Sequence, residues 1–366
     1  MKNVAVFFGG QSIEHEISCI TGVLTVNSVD ASRYNAIPIY VSQEGKWWTG
    51  EILKDVDFYK NPNEKKLTRV TMFAGDNKLY KLKANKYKPL YDLACAINCV
   101  HGERGEDGSL AGFINLCNVA FASPPIGASA ISMSKELTKI ALKGLRIKAL
   151  DYLVVNKRED ANLIEKRLSF PVIVKPDTGG SSIGIKTATD KRSLEHALAY
   201  ALRYSEKAII EPLVEDFIEI NCACYKYGDK LIVSECEKPV SRGQILSFSD
   251  KYEKGTRVFP ADIDNKLSDK IKKTTQTVYQ ALGFEGVIRV DYIVKDNQVY
   301  LNEINSVPGS LSYYLFVKTL KEFGQMLNNL IDQSLNENAR RSTLVKKFSS
   351  GILGAHGSKG AKRLKK

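Results

Sequence analysis

Two apolar stretches near the end of the chain carry polar residues of the types that bind divalent cations. Residues 286–294 and 298–305 both alternate apolar and polar side chains, as a β-strand with one covered face does. The polar positions include Asp291 in the first stretch, and Glu303 and Asn305 in the second. Two carboxylates and one amide oxygen are hard ligands of the kind that magnesium prefers. We therefore expect these three residues to hold magnesium if the two strands are neighbours.

The register between the two strands decides whether these ligands meet. A connecting loop with an odd number of residues, such as 296–298, would place Asp291 opposite Glu303 and Arg289 opposite Asn305. Two carboxylates that face each other on a sheet repel unless a cation lies between them. A solvated sheet face dotted with charge is the alternative, but this repulsion favours the metal site.

A loop rich in glycine and serine, Gly179-Gly-Ser-Ser-Ile-Gly184, lies between two β-rich stretches. Successive backbone N–H groups in such a loop can bind a phosphate, and Lys175 just before it adds a positive charge. It is not a Walker loop, because Gly-Lys-Ser/Thr is missing and no helix follows directly. An ordinary flexible hairpin is the alternative, so the loop alone does not identify a nucleotide site.

Three more polar residues end or follow predicted strands. Glu211 ends an apolar strand and could pair with an adenine amino group, or it could be a surface acid. Glu14 lies in a first helical turn, where it could complement the helix dipole or bind a substrate ammonium group. His101 follows a buried strand and precedes a glycine-rich turn, a placement typical of site residues.

The amino-terminal elements predict an open α/β sheet, whose ligands usually bind at the carboxyl ends of the strands. Strands are expected at residues 4–8, 37–41 and 94–100, and Ser12 is expected to cap the first helix. No Gly-x-Gly-x-x-Gly dinucleotide fingerprint is present. The apolar face of that helix would comprise Ile13, Ile17, Ile20 and Leu24.

The turn-rich stretch at residues 123–127 is expected to end this first unit. Together with a length of 366 residues, this boundary predicts several domains. We expect helices at 132–145, 193–204 and 320–335, a strand at 172–175, and a strand-rich stretch from 211 to 305. The predicted units are an N-terminal α/β domain at 1–124, a central subdomain at 125–213, a C-terminal subdomain at 214–336 and a disordered basic tail at 337–366.

The positive charge of the chain is concentrated at its end. Residues 340–366 contain nine lysines and arginines and no acid, and without them the formal net charge of +12 falls to +3. A basic surface for nucleic acid is therefore not expected. A solvated extension is the favoured interpretation of the tail. Weak attraction to an anionic membrane is the alternative, because Leu344, Phe348 and Ile352 recur every four residues.

Apolar runs and cysteines indicate a reducing, aqueous compartment. No run approaches the roughly 18 residues needed to span a membrane, and the first apolar run ends too early for a signal peptide. We expect a cytoplasmic protein without stable membrane insertion. The seven cysteines have no paired Cys-x-x-Cys spacing, so reduced, mostly buried thiols are favoured over a zinc site.

Taken together and in this order, these motifs resemble those of D-alanine–D-alanine ligases, members of the ATP-grasp superfamily. The resemblance extends from about Val4 to about Leu335. It implies an α/β, three-domain ATP-grasp ligase with an N-terminal open α/β domain, and a homodimer. The motifs are residues 8–18, 101–108, 132–135, 172–176, 180–184, 289–291 and 303–309.

The resemblance also implies a reaction in peptidoglycan precursor synthesis. ATP would activate one D-alanine as an acyl phosphate, and the amine of a second D-alanine would attack it. Two magnesium ions, which Mn²⁺ could replace, would be held by Asp291, Glu303 and Asn305. The implied nucleotide-binding residues are Lys135, Lys175, Gly180, Ser181 and Ser182 at the phosphates, Glu211 and Val214 at the adenine, Glu219 at the ribose, and Lys251 in a mobile lid.

For the amino acids, the resemblance implies that Glu14 binds the ammonium group of the first D-alanine, with support from Ser181 and the lid residue Tyr252. Arg289 and the Gly309 N–H would stabilise the oxyanion. The remaining implied substrate residues are His101, Tyr314 and Leu315.

The chain departs from the family's pattern around the acceptor. Tyr314 stands where the family has a serine that holds the second substrate's carboxylate, and residues 246–250 differ from the usual lid. Gly179 also replaces an acid that some members have. D-Serine, D-lactate or another small amine is therefore an alternative acceptor. A nucleotide-binding protein without turnover is disfavoured, because no implied catalytic group is missing.

Overall fold

The computed structural model describes residues 1–84, 86–156, 169–240 and 256–351. Its strands are β1 Lys2–Gly9, β2 Tyr34–Val41, β3 Trp47–Thr49, β4 Thr68–Thr71, β5 Lys78–Lys83, β6 Lys86–Asn98, β7 Ala120–Phe121, β8 Leu153–Asn156, β9 Val172–Pro176, β10 Lys186–Ala188, β11 Lys207–Pro212, β12 Ile218–Tyr227, β13 Lys230–Val233, β14 Lys238–Pro239, β15 Arg257–Val258, β16 Val287–Lys295 and β17 Gln298–Asn305. Its α-helices are α1 His15–Ser28, α2 Ser109–Leu116, α3 Ile126–Met133, α4 Lys135–Gly144, α5 Lys191–Ala201, α6 Asn265–Ala281 and α7 Leu320–Ser342.

The amino-terminal sheet has a parallel core in the order β2-β1-β6-β7. Strands β3, β4 and β5 extend it in antiparallel fashion and return to the first half of β6. Residues 4–8 of β1 are fully buried, which fits the continuous apolar run of a strand covered on both faces. Because parallel strands end at one edge, the segments that begin with Gly10 and Cys99 leave the sheet side by side.

The first helix begins later than predicted, at His15, and Ser12 does not cap it. The Ser12 hydroxyl instead donates to the His101 carbonyl at 2.7 Å, which ties together the segments that follow β1 and β6. Ile13 and Ile20, expected on the inner face of the helix, are half exposed because they line cavities.

The central sheet is antiparallel in the order β10-β9-β11-β8, and α5 covers one face. Leu194, Ala197, Leu198 and Ala201 lie on one face of α5 and are buried. The single helix expected at 132–145 is wrong: α3 and α4 meet at Ser134, whose extended backbone ends one helix and caps the next. Its hydroxyl accepts from the Leu137 N–H and donates to the Asp177 carboxylate.

The carboxy-terminal sheet is antiparallel in the order β13-β12-β16-β17. The stretch expected to be strand-rich also contains α6, which packs on β12 and which the sequence interpretation missed. Helices α3 and α4, assigned from sequence to the central unit, pack against β17. The proposed domain boundaries stay a prediction.

The last helix, α7, ends at Ser342 rather than near Leu335, so the first residues of the basic tail are helical. Arg341 pairs with Glu285 at 2.5 Å, which holds this end of α7 against the carboxy-terminal unit. Leu344 and Phe348 are exposed, and Ile352 lies outside the described residues. No helix among the described residues is long and apolar enough to cross a membrane. All seven cysteines are buried and free, as predicted.

Candidate active site

Strands β16 and β17 form a hairpin with the predicted pairing but not the predicted loop. Asp291 lies opposite Glu303, and Arg289 lies opposite Asn305. The connecting turn has only two residues, Asp296 and Asn297, both with positive φ. A bulge between Asp291 and Tyr292 shifts the register by one residue and restores the pairing that a longer loop would have produced.

The carboxylate of Asp291 already has a cationic partner in the structure. Arg289 Nε donates to Asp291 Oδ1 at 2.7 Å and Nη2 to Oδ2 at 2.9 Å, a bidentate ion pair. Asn305 Nδ2 donates to Asp291 Oδ2 at 3.0 Å. The repulsion expected between Asp291 and Glu303 is thus relieved by an arginine.

The donor set fits magnesium by its chemistry, since Asp291 and Glu303 are opposed carboxylates and Asn305 adds an amide oxygen. Within the ranges that the structure describes, no group of three or more His, Cys, Asp or Glu side chains is placed to hold a metal ion. The set therefore depends on the amide and on groups that a bound nucleotide would add.

The glycine-serine loop folds against Glu14. Lys135 Nζ donates to the Gly179 carbonyl at 2.9 Å, which links α4 to the loop. Ser181 and Ser182 both have left-handed backbones. The Ser181 hydroxyl donates to the Glu14 carboxylate. A Cβ at Gly180 would lie 3.1 Å from Glu14 Oε1, so a larger residue there would displace the Glu14 carboxylate by a few tenths of an ångström.

Glu211 is buried and held by two lysines. Lys139 Nζ lies 2.6 Å from its Oε1 and Lys175 Nζ lies 2.7 Å from its Oε2. Burial by itself would raise the pKa of the Glu211 carboxyl, but the two ammonium groups lower that pKa to about 2. The surface-acid alternative for Glu211 is therefore wrong, because the side chain is 1% exposed.

Two neighbouring cavities are lined by these groups. The larger, of about 620 Å³, extends from Glu211 and Val214 to Tyr314. The smaller, of about 60 Å³, contains Glu14 and His101. Both are lined by Lys135, Gly179, Gly180, Arg289, Glu303 and Gly309. The larger cavity also includes Lys175, Ser182, Glu219 and Asp291, and the smaller includes Ser181 and Asn305.

His101 is a buried link between the amino-terminal sheet and the segment around Gly309. Its Nε2 lies 3.0 Å from Thr21 Oγ1, and that oxygen accepts the Ser310 N–H at 3.1 Å. Burial lowers the pKa of His101 to about 4, so the ring is neutral at pH 7. This contact network gives His101 a positioning role at the edge of the small cavity.

Glu106 is a second link between the same two segments. Its carboxylate accepts the Gly102 N–H at 2.8 Å and the Val307 N–H at 3.0 Å. Burial, with the nearby charge of Glu14, raises the pKa of Glu106 to about 8. Glu106 lies within the 101–108 motif quoted from the sequence but was not assigned a role there.

The larger cavity also contains Tyr314 with two groups that sequence interpretation missed. The Arg257 guanidinium lies 4.3 Å from the Tyr314 ring centroid, and its Nη1 lies 3.3 Å from Glu237 Oε1. Leu315 is buried and lines neither of the two neighbouring cavities. Lys251, Tyr252 and the expected lid lie outside the described residues.

Some missed residues left a signal in the sequence and others did not. Lys139 follows Lys135 by four residues on α4, so both project from the same side of a helix. Glu106 lies in the family motif at residues 101–108. Glu237 and Arg257 carry no local signal, because Glu237 reaches the cavity through its bridge with Asn221 and Arg257 reaches it through the pairing of β14 with β15.

Two sheets around a cavity, opposed carboxylates, and lysines beside a glycine-serine loop together define an enzyme of the nucleotide-dependent ligase class with an ATP-grasp fold. Family models support this directly: the D-ala D-ala ligase N-terminus matches residues 3–124 and the D-ala D-ala ligase C-terminus matches residues 142–336. The chain belongs to the D-alanine–D-alanine ligase family.

Individual relatives agree. A D-alanine–D-alanine ligase of Thermosipho melanesiensis is 35% identical over 344 residues, which cover 92% of this chain and 94% of that protein. The crystal structure of D-alanine–D-alanine ligase from Helicobacter pylori has a TM-score of 0.78 and 32% identity, and covers 91% of this chain and 98% of its own. The crystal structure of the VanG D-Ala:D-Ser ligase from Enterococcus faecalis has a TM-score of 0.78 and 25% identity. The match covers 91% of this chain and 99% of that protein.

These findings confirm the family, the ATP-grasp fold and the ATP-dependent ligase class that the motifs predicted. The roles of individual residues stay predictions, since the comparisons test the chain as a whole.

Proposed function

We propose that the chain joins the carboxyl group of one D-alanine to the amino group of a second D-alanine, with ATP as phosphoryl donor, in peptidoglycan precursor synthesis. The observation that carries this proposal is the arrangement around Arg289 and Gly309. These two residues line both cavities and so lie between Glu14 on one side and Asp291 on the other. A cytoplasmic location and a homodimer, both implied by the resemblance, belong to the proposal.

The reaction requires a carboxylate, a poor electrophile, to acquire a leaving group. Transfer of the γ-phosphoryl group to a carboxylate oxygen produces an acyl phosphate and ADP. The second amine then attacks the carbonyl carbon, the C–N bond forms, the amine loses a proton and phosphate leaves. Catalysis of such steps is mostly positioning and charge neutralisation.

The chain's own residues supply the positioning. Glu14 would bind the ammonium group of the first D-alanine, and the hydrogen bond from Ser181 would hold the Glu14 carboxylate in place. Lys135 and Lys175 would neutralise phosphate charge under Gly180 and Ser182. Glu211 and Val214 would contact the adenine and Glu219 the ribose, because all three line the larger cavity.

Asp291, Glu303 and Asn305 would hold two magnesium ions, which Mn²⁺ could replace. Bound there, the metal would supply charge neutralisation at the phosphates. Arg289 and the Gly309 N–H would stabilise the oxyanion, a contribution of about 10²–10³ in rate. Lys251 and Tyr252 would belong to the lid over the site.

A ligase with an acceptor other than D-alanine is a second candidate function. Two observations favour it: the aromatic Tyr314 lies beside Arg257, and the chain is similar to a D-Ala:D-Ser ligase. Phosphate release from ATP distinguishes the candidates. It should depend on D-alanine alone if D-alanine is both substrates, and it should rise with D-serine or D-lactate if the acceptor has changed. Absence of amino-acid-dependent release from the folded chain would refute both.

Variants make this assay specific for the site. Arg289→Lys should lower kcat about 10²- to 10³-fold, because a lysine cannot reproduce the planar donor pair. Asp291→Asn should abolish most magnesium-dependent turnover. Asp269→Asn, at an exposed acid on α6, is the matched control and should leave turnover unchanged. Equal rates for Asp291→Asn and Asp269→Asn would contradict the assigned metal site.

A further inference from the structure

A line of polar residues crosses four neighbouring backbone segments on one face of the carboxy-terminal sheet. Asp291 pairs with Glu303 on one side and with Asn221 on the other. Asn221 in turn forms an isolated bridge with Glu237, through backbone hydrogen bonds of 2.8 and 2.9 Å. Asn221 Nδ2 also donates to Glu237 Oε2 at 3.1 Å. Glu237 therefore extends the proposed metal-binding face to the far wall of the larger cavity.

Arg257 is held above this wall on two sides. Its Nη1 lies 3.3 Å from Glu237 Oε1, and its guanidinium lies 4.3 Å from the centroid of the Tyr314 ring. Tyr314 is itself braced by Tyr313, whose ring stacks on Phe323 at 4.6 Å. A guanidinium stacked on an aromatic ring keeps its N–H donors in one plane, ready for a planar anion.

The larger cavity is lined by four cationic side chains among the described residues, and three of them already have a firm partner. Lys135 binds the Gly179 carbonyl, Lys175 binds Glu211, and Arg289 binds Asp291 at 2.7–2.9 Å. Arg257 differs from them. Its ion pair is longer, at 3.3 Å, and 40% of its side chain remains exposed.

Arg257 also lines the same cavity as Arg289 and Gly309, the groups proposed to act on the reacting carbonyl. Burial raises the pKa of Tyr314, whereas both Arg289 and Arg257 lower it, so the phenol is within electrostatic reach of both guanidinium groups. In an α-amino acid acceptor the carboxylate is one carbon away from the attacking amine. Its ligand must therefore lie in the same cavity as Arg289 and Gly309, and Arg257 lines that cavity.

We propose that Arg257, stacked on Tyr314 and positioned by Glu237, binds the carboxylate of the acceptor and restricts acceptors to small acids with an α-carboxylate. The inference rests on the proposed ligation and names the part of the acceptor that is recognised. Tyr314, at the position where the family has a serine, then contributes through Arg257, because its ring supports the guanidinium. Simple amines and amino-acid amides, which have no such carboxylate, are poor acceptors.

A competition assay tests this without depending on enzyme concentration. The full chain is given ATP, Mg²⁺, D-alanine and D-alaninamide together, and the ratio of the dipeptide to the dipeptide amide is measured by chromatography. That ratio reports relative kcat/KM for the two acceptors, and any inactive fraction of a variant cancels. We expect Arg257→Ala to shift the ratio toward the amide by about 10- to 100-fold, the range for hydrogen bonds to a charged group.

Three more variants sharpen the result. Arg257→Lys, which keeps the charge but loses the planar fork, should shift the ratio by less. Glu237→Gln should cause a smaller shift in the same direction with the KM for ATP unchanged, as expected of a positioning residue. Arg69→Ala, at an arginine stacked 5.2 Å from Trp48 in the amino-terminal unit, is the matched control and should leave the ratio unchanged.

An unchanged product ratio in Arg257→Ala would overturn the inference even if the rate falls, since a structural loss affects both acceptors equally. A wild-type chain that forms neither product would instead overturn the proposed ligation, on which the inference depends.

Discussion

Burial controls the charge of His101 more than any neighbouring group does. The ring lies between Thr21 and the segment around Gly309, and its pKa of about 4 is below the value of about 6.5 for an exposed histidine. The folded chain therefore rejects a proton that the unfolded chain accepts between these two pH values. The resulting loss of stability is absent above pH 6.5 and complete below pH 4.

The first prediction concerns this residue. His101→Gln cannot titrate, so its free energy of unfolding should fall less than that of the wild type between pH 6.5 and pH 4. The difference should be on the order of 3 kcal/mol. Urea unfolding at several pH values measures it. His196→Gln, at an exposed histidine on α5, is the control and should follow the wild type. Parallel pH curves for His101→Gln and wild type would show that His101 titrates normally.

At the scale of an element, α4 supplies both a contact to the glycine-serine loop and the support for Glu211. Lys135 begins the helix and reaches the Gly179 carbonyl, and Lys139 lies one turn later against Glu211. Asp177 holds the start of the helix by accepting the Glu136 N–H at 2.8 Å. The helix thus couples the nucleotide loop to the buried ion pairs behind it.

The second prediction follows from that coupling. Lys139→Met should lower the free energy of unfolding by about 3–5 kcal/mol, because Glu211 is left buried with one cation instead of two. Chemical denaturation measures the loss. Lys143→Met, at an exposed lysine on the same helix, should change stability by less than about 0.5 kcal/mol.

A double variant separates charge from packing. Adding Glu211→Gln to Lys139→Met should recover part of the stability, since the unpaired charge is then removed. A Lys139→Met variant as stable as Lys143→Met would mean that Lys175 alone neutralises Glu211.

The β16–β17 hairpin shows how far sequence interpretation reaches at this scale. Alternation of side chains correctly predicted that Asp291 faces Glu303. The predicted connecting loop was wrong, because the two strands are joined by a two-residue turn and the pairing is produced by a bulge. The bulge leaves Asn302 as the extra residue of β17, and its side chain accepts from Lys175 at 3.3 Å. Register depends on contacts on both sides of a strand, which its own sequence does not contain.

At the scale of the molecule, α7 joins the two ends of the chain. Arg33 near the amino terminus pairs with Asp332 at 3.0 Å, and Arg341 pairs with Glu285 in the carboxy-terminal unit. The helical part of the basic tail therefore contributes contacts, whereas residues 343–351 contain exposed apolar side chains.

The third prediction separates these two parts of the tail. Deletion of residues 343–366 should leave both ligase activity and the melting temperature unchanged. Deletion of residues 337–366 also removes the Arg341–Glu285 pair and the last turns of α7. It should lower the melting temperature by a few degrees, corresponding to about 1–2 kcal/mol, with activity retained. Loss of activity in the shorter deletion would refute the interpretation of the distal tail as a solvated extension.

Local sequence was sufficient for the family motifs, for the pairing of Asp291 with Glu303 and for most of the strands, because each depends on residues close together in the chain. Local sequence did not predict the break between helices at Ser134, the helix α6 or the partners of Glu211. Each of these depends on a side chain from a distant segment, such as Asp177 for the break and Lys139 for Glu211.

The cluster of Arg257, Glu237 and Tyr314 shows this limit most clearly. These residues are up to 77 positions apart in the chain and meet only because β14 pairs with β15 and the turn after Gly309 folds under them. A charged residue in a β-rich stretch looks the same whether it faces water or a cavity. The residue types of the proposed reacting groups could therefore be named from local patterns, whereas the proximity of Arg257, Glu237 and Tyr314 was decided by the packing of the sheets.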